Sequence, residues 1–194
     1  ERNGILKNIG AMSMHKLAAI IVRNTDSLLM SSFIGLATVG VYSNYRLILN
    51  ALNNLINKFS VAFSGSIGNL AALENSDWLY KVYKEMDFMF YVMSAYLTGG
   101  LMMLFNPFIT LLFGGKYCFP MTTVMIIVVE FYISRMRQAN LLFREAMGLF
   151  WNDRYKAVVE SIINLVASLV LVQRYGVTGI VGGTIISALC TCTW

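Results

Sequence analysis

The sequence predicts an all-α, polytopic membrane helix bundle of about six transmembrane helices, and three observations lead there. First, 57% of the 194 residues are hydrophobic and only 13% are charged, whereas soluble domains average roughly 45–50% and 25%. Second, the apolar residues gather in long runs. Neither the stretch from Phe88 to Gly115 nor that from Tyr175 to Trp194 contains a charge. Third, a spanning helix takes about 20 apolar residues, so about six spans with short connections account for the whole length. A soluble chain of this size would amount to one or two domains, with more apolar surface than they could hide.

The spans fall at roughly 8–33, 40–70, 86–113, 120–149, 156–173 and 178–194. Turn-forming residues separate them: Gly35 and Gly40 at the first turn, Gly114, Gly115 and Pro120 at the third, Gly176 at the fifth. Residues 71–85, with Trp78 and Tyr80 among charges, read as a short interfacial segment. No stretch is low-complexity or proline-rich. A charged n-region with a short apolar core and a cleavage site does not follow Glu1, so the chain reads as an internal piece of a longer protein.

Orientation follows from lysine and arginine, which are retained in cytoplasmic loops. Arg2 and Lys7 precede the first span, Lys81 and Lys84 lie between the second and third, and Arg154 and Lys156 between the fourth and fifth; the opposite loops hold only Lys116 and Arg174. Six against two puts the start of the chain, and every even-numbered turn, in the cytoplasm. The formal net charge of +5 therefore needs no nucleic acid, and the basic residues form no dense cluster of the kind that binds one.

Seven basic residues remain at membrane depth: Lys16, Arg23, Arg46, Lys58, Arg135, Arg137 and Arg144. A charge there costs at least about 2.5 kcal/mol, so it should face protein or a watery cavity. Helical phase, at about 100° per residue, sorts them. Lys16, Arg23, Asp26 and Ser27 share one face of the first span, with Arg23 and Asp26 spaced to pair. Arg46, Asn50, Asn53, Asn57, Ser60 and Ser64 make a polar stripe nearly 30 Å long on the second. Asp87, Tyr91, Ser94 and Thr98 repeat the pattern weakly on the third. On the fourth, Glu130, Ser134, Arg137, Asn140 and Arg144 share a face flanked by Gln138 and Glu145, and Arg135 points away. Four such stripes imply a hydrated, net-positive cavity between helices. The plainer reading is mutual satisfaction: Arg23 by Asp26, Glu130 by Arg137, Arg144 by Glu145. Lys16, Arg46 and the asparagine row have no such partner within their own helices.

Other chemistry finds little support. The sequence suggests no cofactor, metal site or catalytic residue: His15 is the only histidine, and no phosphate-binding loop, zinc-protease helix or nucleophile elbow occurs. Cys118, Cys190 and Cys192 lack metal spacing and read as small apolar filler. Gly179 and Gly183, four apart, read as a close-packing signal.

Two runs then carry a family resemblance. The segment from Arg23 through Asp26 to Gly35, followed by Val39, Gly40, Tyr42 and Asn44, resembles the start of the second lobe of Wzx-type oligosaccharide flippases. These belong to the multidrug/oligosaccharidyl-lipid/polysaccharide exporter superfamily. The segment from Phe143 and Arg144 through Gly148, Asp153 and Tyr155, continuing to Glu160, Asn164, Gly176 and Gly179, is similar to the same family. The resemblance covers nearly the whole chain. It implies that residues 1–194 are a single transmembrane lobe whose amino-terminal partner lobe and extreme carboxy-terminus are missing, and that the lobes surround a cavity opening alternately to either side.

The implied function is a transporter, not an enzyme, in a bacterial cytoplasmic membrane. It would flip an undecaprenyl-pyrophosphate-linked oligosaccharide for polysaccharide export, with that anionic lipid and the membrane lipids as partners. Arginine suits the cargo because a guanidinium grips phosphate oxygens bidentately. The candidate substrate-binding residues are Arg23, Asp26, Arg46, Asn50, Asn53, Arg137 and Arg144. The alternatives are a cation-coupled multidrug exporter of the same superfamily, for which more acidic residues are expected, and a membrane glycan polymerase or ligase, for which larger outer loops are.

Overall fold

A burial rhythm of threes and fours builds the helices. The structure, a computed structural model, describes residues 13, 24–72, 76–149 and 155–192. Among them the secondary structure is helical, without a strand. In chain order the helices are α1 (24–33), α2 (Leu36–Ala72), α3 (Ser76–Phe113), α4 (Met121–Met136), α5 (Gln138–Ala146), α6 (Lys156–Tyr175) and α7 (Val177–Cys192), with a single 3-10 turn at Gly115–Tyr117. Along α2 the inward side chains are Tyr42, Tyr45, Leu49, Ile56, Ser60 and Ile67, an i, i+3, i+7 succession that keeps one face of a helix turned to its neighbours.

Boundaries differ from expectation in two informative places. The segment expected to lie at the interface is the first part of α3, which begins at Ser76 and runs unbroken to Phe113. Asp77 in its first turn complements the helix dipole, and Leu79, Val82, Tyr83 and Met86 all turn toward the core, so the segment has an apolar face to bury and continues the helix. The expected fourth span is instead two helices. It breaks at Arg137, where the backbone (φ −84°, ψ 1°) leaves helical values. No proline or glycine stands there, so the break rests on side-chain ties to other helices, described below.

Among the described residues two helices, Asp77–Phe113 and Lys156–Tyr175, are long and apolar enough to cross a membrane, and Val177–Thr191 is apolar but shorter. At about 1.5 Å per residue, α2 is about 55 Å long, but its row of asparagines with Arg46 and Lys58 lowers its hydropathy. By length and composition the clear spans among the described residues are fewer than the six expected, and most of the first expected span lies outside those residues.

The core joins α2, α3, α4 and α5 through Tyr45, Leu49, Phe90, Phe105, Ile109, Val124, Ile127, Phe131 and Leu142. A polar clip fastens the turn before α4 to it. The Tyr45 hydroxyl donates to Asn106 Oδ1 at 2.5 Å and accepts from the Phe119 backbone N–H at 2.9 Å, while Asn106 Nδ2 donates to the Phe119 carbonyl at 3.2 Å. Pro107 follows at once within α3, where the lost N–H would weaken the helix and this clip braces it.

The α6–α7 pair is the closest packed. Gly176 joins the two helices with φ 56°, a left-handed conformation that glycine adopts without strain. Beyond it, a β-carbon at Gly179 would run into the Leu171 carbonyl, and one at Gly183 into Ser168. With the backbones this near, Ser168 Oγ donates to the Ile180 carbonyl at 3.1 Å. The close-packing signal read at these two glycines therefore has a backbone contact behind it. Gly179→Ala and Gly183→Ala should each lower stability by about 1–3 kcal/mol through overpacking, measured as loss of thermal stability in detergent. Gly182→Ala, whose new methyl would meet nothing nearer than a Leu171 methyl at 3.9 Å, should be nearly silent.

Candidate functional site

The polar stripe of α2 is displaced from that helix's buried seam by about 60°, counting about 100° per residue, and so lies along the margin of the core. Its upper end forms a hollow of about 220 Å³ lined by Ser27 of α1 and by Val39, Tyr42, Ser43, Arg46 and Asn50 of α2. Steps of three and four place these α2 residues on one face. The Arg46 guanidinium lies 5.8 Å from the centre of the Tyr42 ring, close enough for a cation–π contact. Its Nη1 is 3.9 Å from Glu130 Oε2 on α4, with only 27% and 17% of the two side chains exposed. Asp26, 5% exposed on α1, feels the charges of both Arg46 and Glu130 and lies near Thr184 of α7.

A second ionic contact crosses from the helix break to α6, where Arg137 Nη1 donates to Glu160 Oε1 at 3.1 Å. Around the same break, Arg135 Nη1 donates to Gln138 Oε1 at 3.0 Å and Nη2 to Ser134 Oγ at 3.2 Å. Gln138 Nε2 then reaches α2, donating to Ser60 Oγ at 3.0 Å and to Asn57 Oδ1 at 3.4 Å. Ties to two flanking helices hold the chain out of helical geometry at Arg137, and this accounts for the split of the expected fourth span. The local partners of Arg135 fit its out-of-phase position.

The expected site residues therefore separate. Arg46 and Asn50 line the hollow, and Asp26 lies beside it, next in sequence to Ser27. Asn53 lies one turn further along α2, with its Oδ1 buried and without a hydrogen-bond partner. Arg137 pairs with Glu160, where the plainer reading offered Glu130, and it is not among the residues lining the hollow. Arg144 lies half-buried on α5, past the break, and also off the hollow's lining. The phase argument treated residues 120–149 as one helix, and the break removes the common face it assumed. Arg23, with Lys16 and His15, lies outside the described residues. Among the described residues Glu130 lies within ion-pair distance of Arg46 and Glu160 of Arg137, and Lys16 and Arg23, which the net-positive expectation counted, lie outside them.

Sequence reasoning missed Glu160 and Thr184 as partners. Glu160, Asn164 and Ser168 recur every fourth residue on α6, with Asn164 and Ser168 fully buried, and that spacing was the available signal. Asn164 Nδ2 donates to Thr184 Oγ1 at 2.9 Å. Among the described residues, no group of three or more histidine, cysteine, aspartate or glutamate side chains could hold a metal ion.

No known protein family, curated protein or solved structure matches the chain. Removing one half of the α5–α6 tie tests its energetics. Glu160→Gln should destabilise the protein by about 1–3 kcal/mol, because it strands a mostly buried guanidinium. Arg137→Gln combined with Glu160→Gln should recover part of that loss in a thermal melt, as expected of coupled partners.

Proposed function

We propose that the chain is one lobe of a transporter that flips a lipid-linked oligosaccharide with a pyrophosphate head across a bacterial cytoplasmic membrane, its first residues on the cytoplasmic side. The observation that carries this reading is Arg46. It is a guanidinium largely withdrawn from solvent on a long helix, lining a hollow with the amide of Asn50 and the hydroxyls of Ser27 and Ser43. A planar cation with hydroxyl and amide neighbours suits phosphate oxygens and sugar hydroxyls together. The surroundings favour a bilayer: Leu36, Tyr96, Met103 and Leu111 are each about four-fifths exposed, more apolar surface than a protein in water usually presents. The likeness of the segments around Arg23 to Gly35 and Phe143 to Tyr155 to the oligosaccharide flippases supports the cargo, and the six spans of that family form part of this proposal.

The cation-coupled multidrug exporter remains the second reading, favoured by Asp26 and Glu130, whose carboxylates beside Arg46 would suit a cationic drug. The glycan polymerase or ligase reading has less behind it. Only Ile34 and Gly35 separate α1 from α2, and Gly176 alone separates α6 from α7, too little chain for a catalytic loop.

The test is glycan export by the intact reading frame in cells lacking their own flippase. Losing a charge-assisted hydrogen bond costs roughly 1.5–3 kcal/mol, about ten- to over a hundredfold in an equilibrium constant. Arg46→Ala should therefore abolish most export at matched membrane expression, and Arg46→Lys should keep part of it. Undiminished export by Arg46→Ala would sink the reading. Drug resistance that depends on Glu130 without any glycan export would replace it with the exporter.

A further inference from the structure

The outward side of α3 changes character along its length. At about 1.5 Å per residue its 38 residues measure about 57 Å, nearly twice the roughly 30 Å hydrocarbon core of a bilayer. The helix carries no charge from Phe88 onward, so its first turns, Ser76 to Asp87, stand outside the hydrocarbon. They belong to α3 and form no separate segment, but their outward residues are of the kind that sit at a membrane–water boundary. Two ammonium groups there are each held over a ring: Lys81 Nζ lies 5.2 Å from the centre of the Trp78 ring, and Lys84 Nζ 4.6 Å from that of Tyr80. Both rings are about half exposed. Asp77 and Glu85 are exposed and Asp87 half-buried on the same stretch, yet among the described residues neither lysine is within ion-pair distance of a carboxylate. Tyr83 secures this platform from behind, its hydroxyl donating to Asn140 Oδ1 of α5 at 2.8 Å and its ring lying edge-on to Phe143 at 5.2 Å.

Beyond Lys84 the helix opens a shallow hollow of about 520 Å³ lined by Phe88, Met89, Val92, Met93 and Tyr96, with no polar atom on its surface. From Lys84 the rise is about 6 Å to Phe88 and about 18 Å to Tyr96, so the hollow occupies the depth of one leaflet, about 15 Å of hydrocarbon. We propose that this side of α3 binds one anionic phospholipid, its phosphate held by Lys81 and Lys84 and an acyl chain laid in the hollow. An ammonium is a compact charge with three donors, and contact with a ring face fixes its position while leaving donors for a phosphate. Trp78 and Tyr80 present the apolar body and polar tip that suit headgroup level. Below them the unbranched side chains of Met89 and Met93 adapt to a flexible chain. A soluble phosphate would use the lysines alone and leave the hollow empty; a lipid uses both. The site shares no residue with the lining of the hollow around Arg46, so the lipid is distinct from the cargo. With the orientation proposed above it belongs to the cytoplasmic leaflet. The inference rests on the bilayer part of that reading and not on the cargo.

The test is quenching of Trp78 fluorescence by lipids brominated on an acyl chain, with every other tryptophan of the full-length protein replaced by phenylalanine and the protein reconstituted in phosphatidylcholine. Each lysine near an anionic lipid is worth about fivefold in affinity. Brominated phosphatidylglycerol should therefore reach half-maximal quenching at a mole fraction about tenfold lower than brominated phosphatidylcholine does. Lys81→Gln combined with Lys84→Gln should bring the two lipids level, and the double arginine variant should keep the preference. Val92→Phe, which fills the hollow from an exposed position, should weaken the preference although both lysines remain. Equal quenching by the two lipids in the protein with Lys81, Lys84 and Val92 intact overturns the proposal, as does an undiminished preference in either the double glutamine variant or Val92→Phe. Loss of the preference on adding inorganic phosphate at constant ionic strength would reveal a plain anion site and overturn it too. Selective quenching in a protein that exports no glycan would uphold the lipid site and defeat only the proposed cargo; glycan export with equal quenching would do the reverse.

Discussion

The whole arrangement depends on one constraint: a charge carried into an apolar helix assembly must be answered by a group from another helix. Within one helix the pairs are limited to residues three or four apart, and the two ionic contacts described above run between helices. Arg46 on α2 meets Glu130 on α4, and Arg137 at the α4–α5 break meets Glu160 on α6. Each contact therefore fixes the rotation of two helices against each other, which nonspecific apolar packing alone would leave loose. The same constraint explains the break at Arg137. At the break, where the chain gives up helical geometry at one residue, Arg137, Arg135 and Gln138 each reach a side-chain partner.

Much of the fold was legible because helical periodicity and turn residues are local properties. Gly35, Gly114 and Gly176 mark ends of helices as read, and the fifth and sixth spans differ by two residues or fewer at each described end. The break at Arg137 was not legible, since nothing in the local sequence interrupts the helix and its cause lies on α2 and α6. The start of α3 was misread because Trp78 and Tyr80 among charges look interfacial, while the inward row from Leu79 to Met86 that extends the helix is weaker to the eye.

The polar cluster around Arg46 was legible in part. Phase along α2 correctly joined Arg46 to Asn50 on one face, and Asp26 lies close by. Phase cannot say which face of one helix meets which face of another, so the partner it could offer Glu130 was Arg137, about two turns along the same expected helix. Glu160 and Thr184 carried little signal alone. Each gains meaning only beside the residue it meets.

The near contact of backbones between α6 and α7 has a mechanical consequence. Two helices locked by Gly179 against Leu171 and Gly183 against Ser168 have no side-chain layer between them to slide or reshuffle, so they behave as a single stiff plank. Any rearrangement of this assembly must then take place at the plank's outer seams, where it meets α1 through Thr184 and the broken α4–α5 pair through Glu160. Those seams are polar and can exchange partners, so the softest joints in the molecule coincide with its ionisable groups.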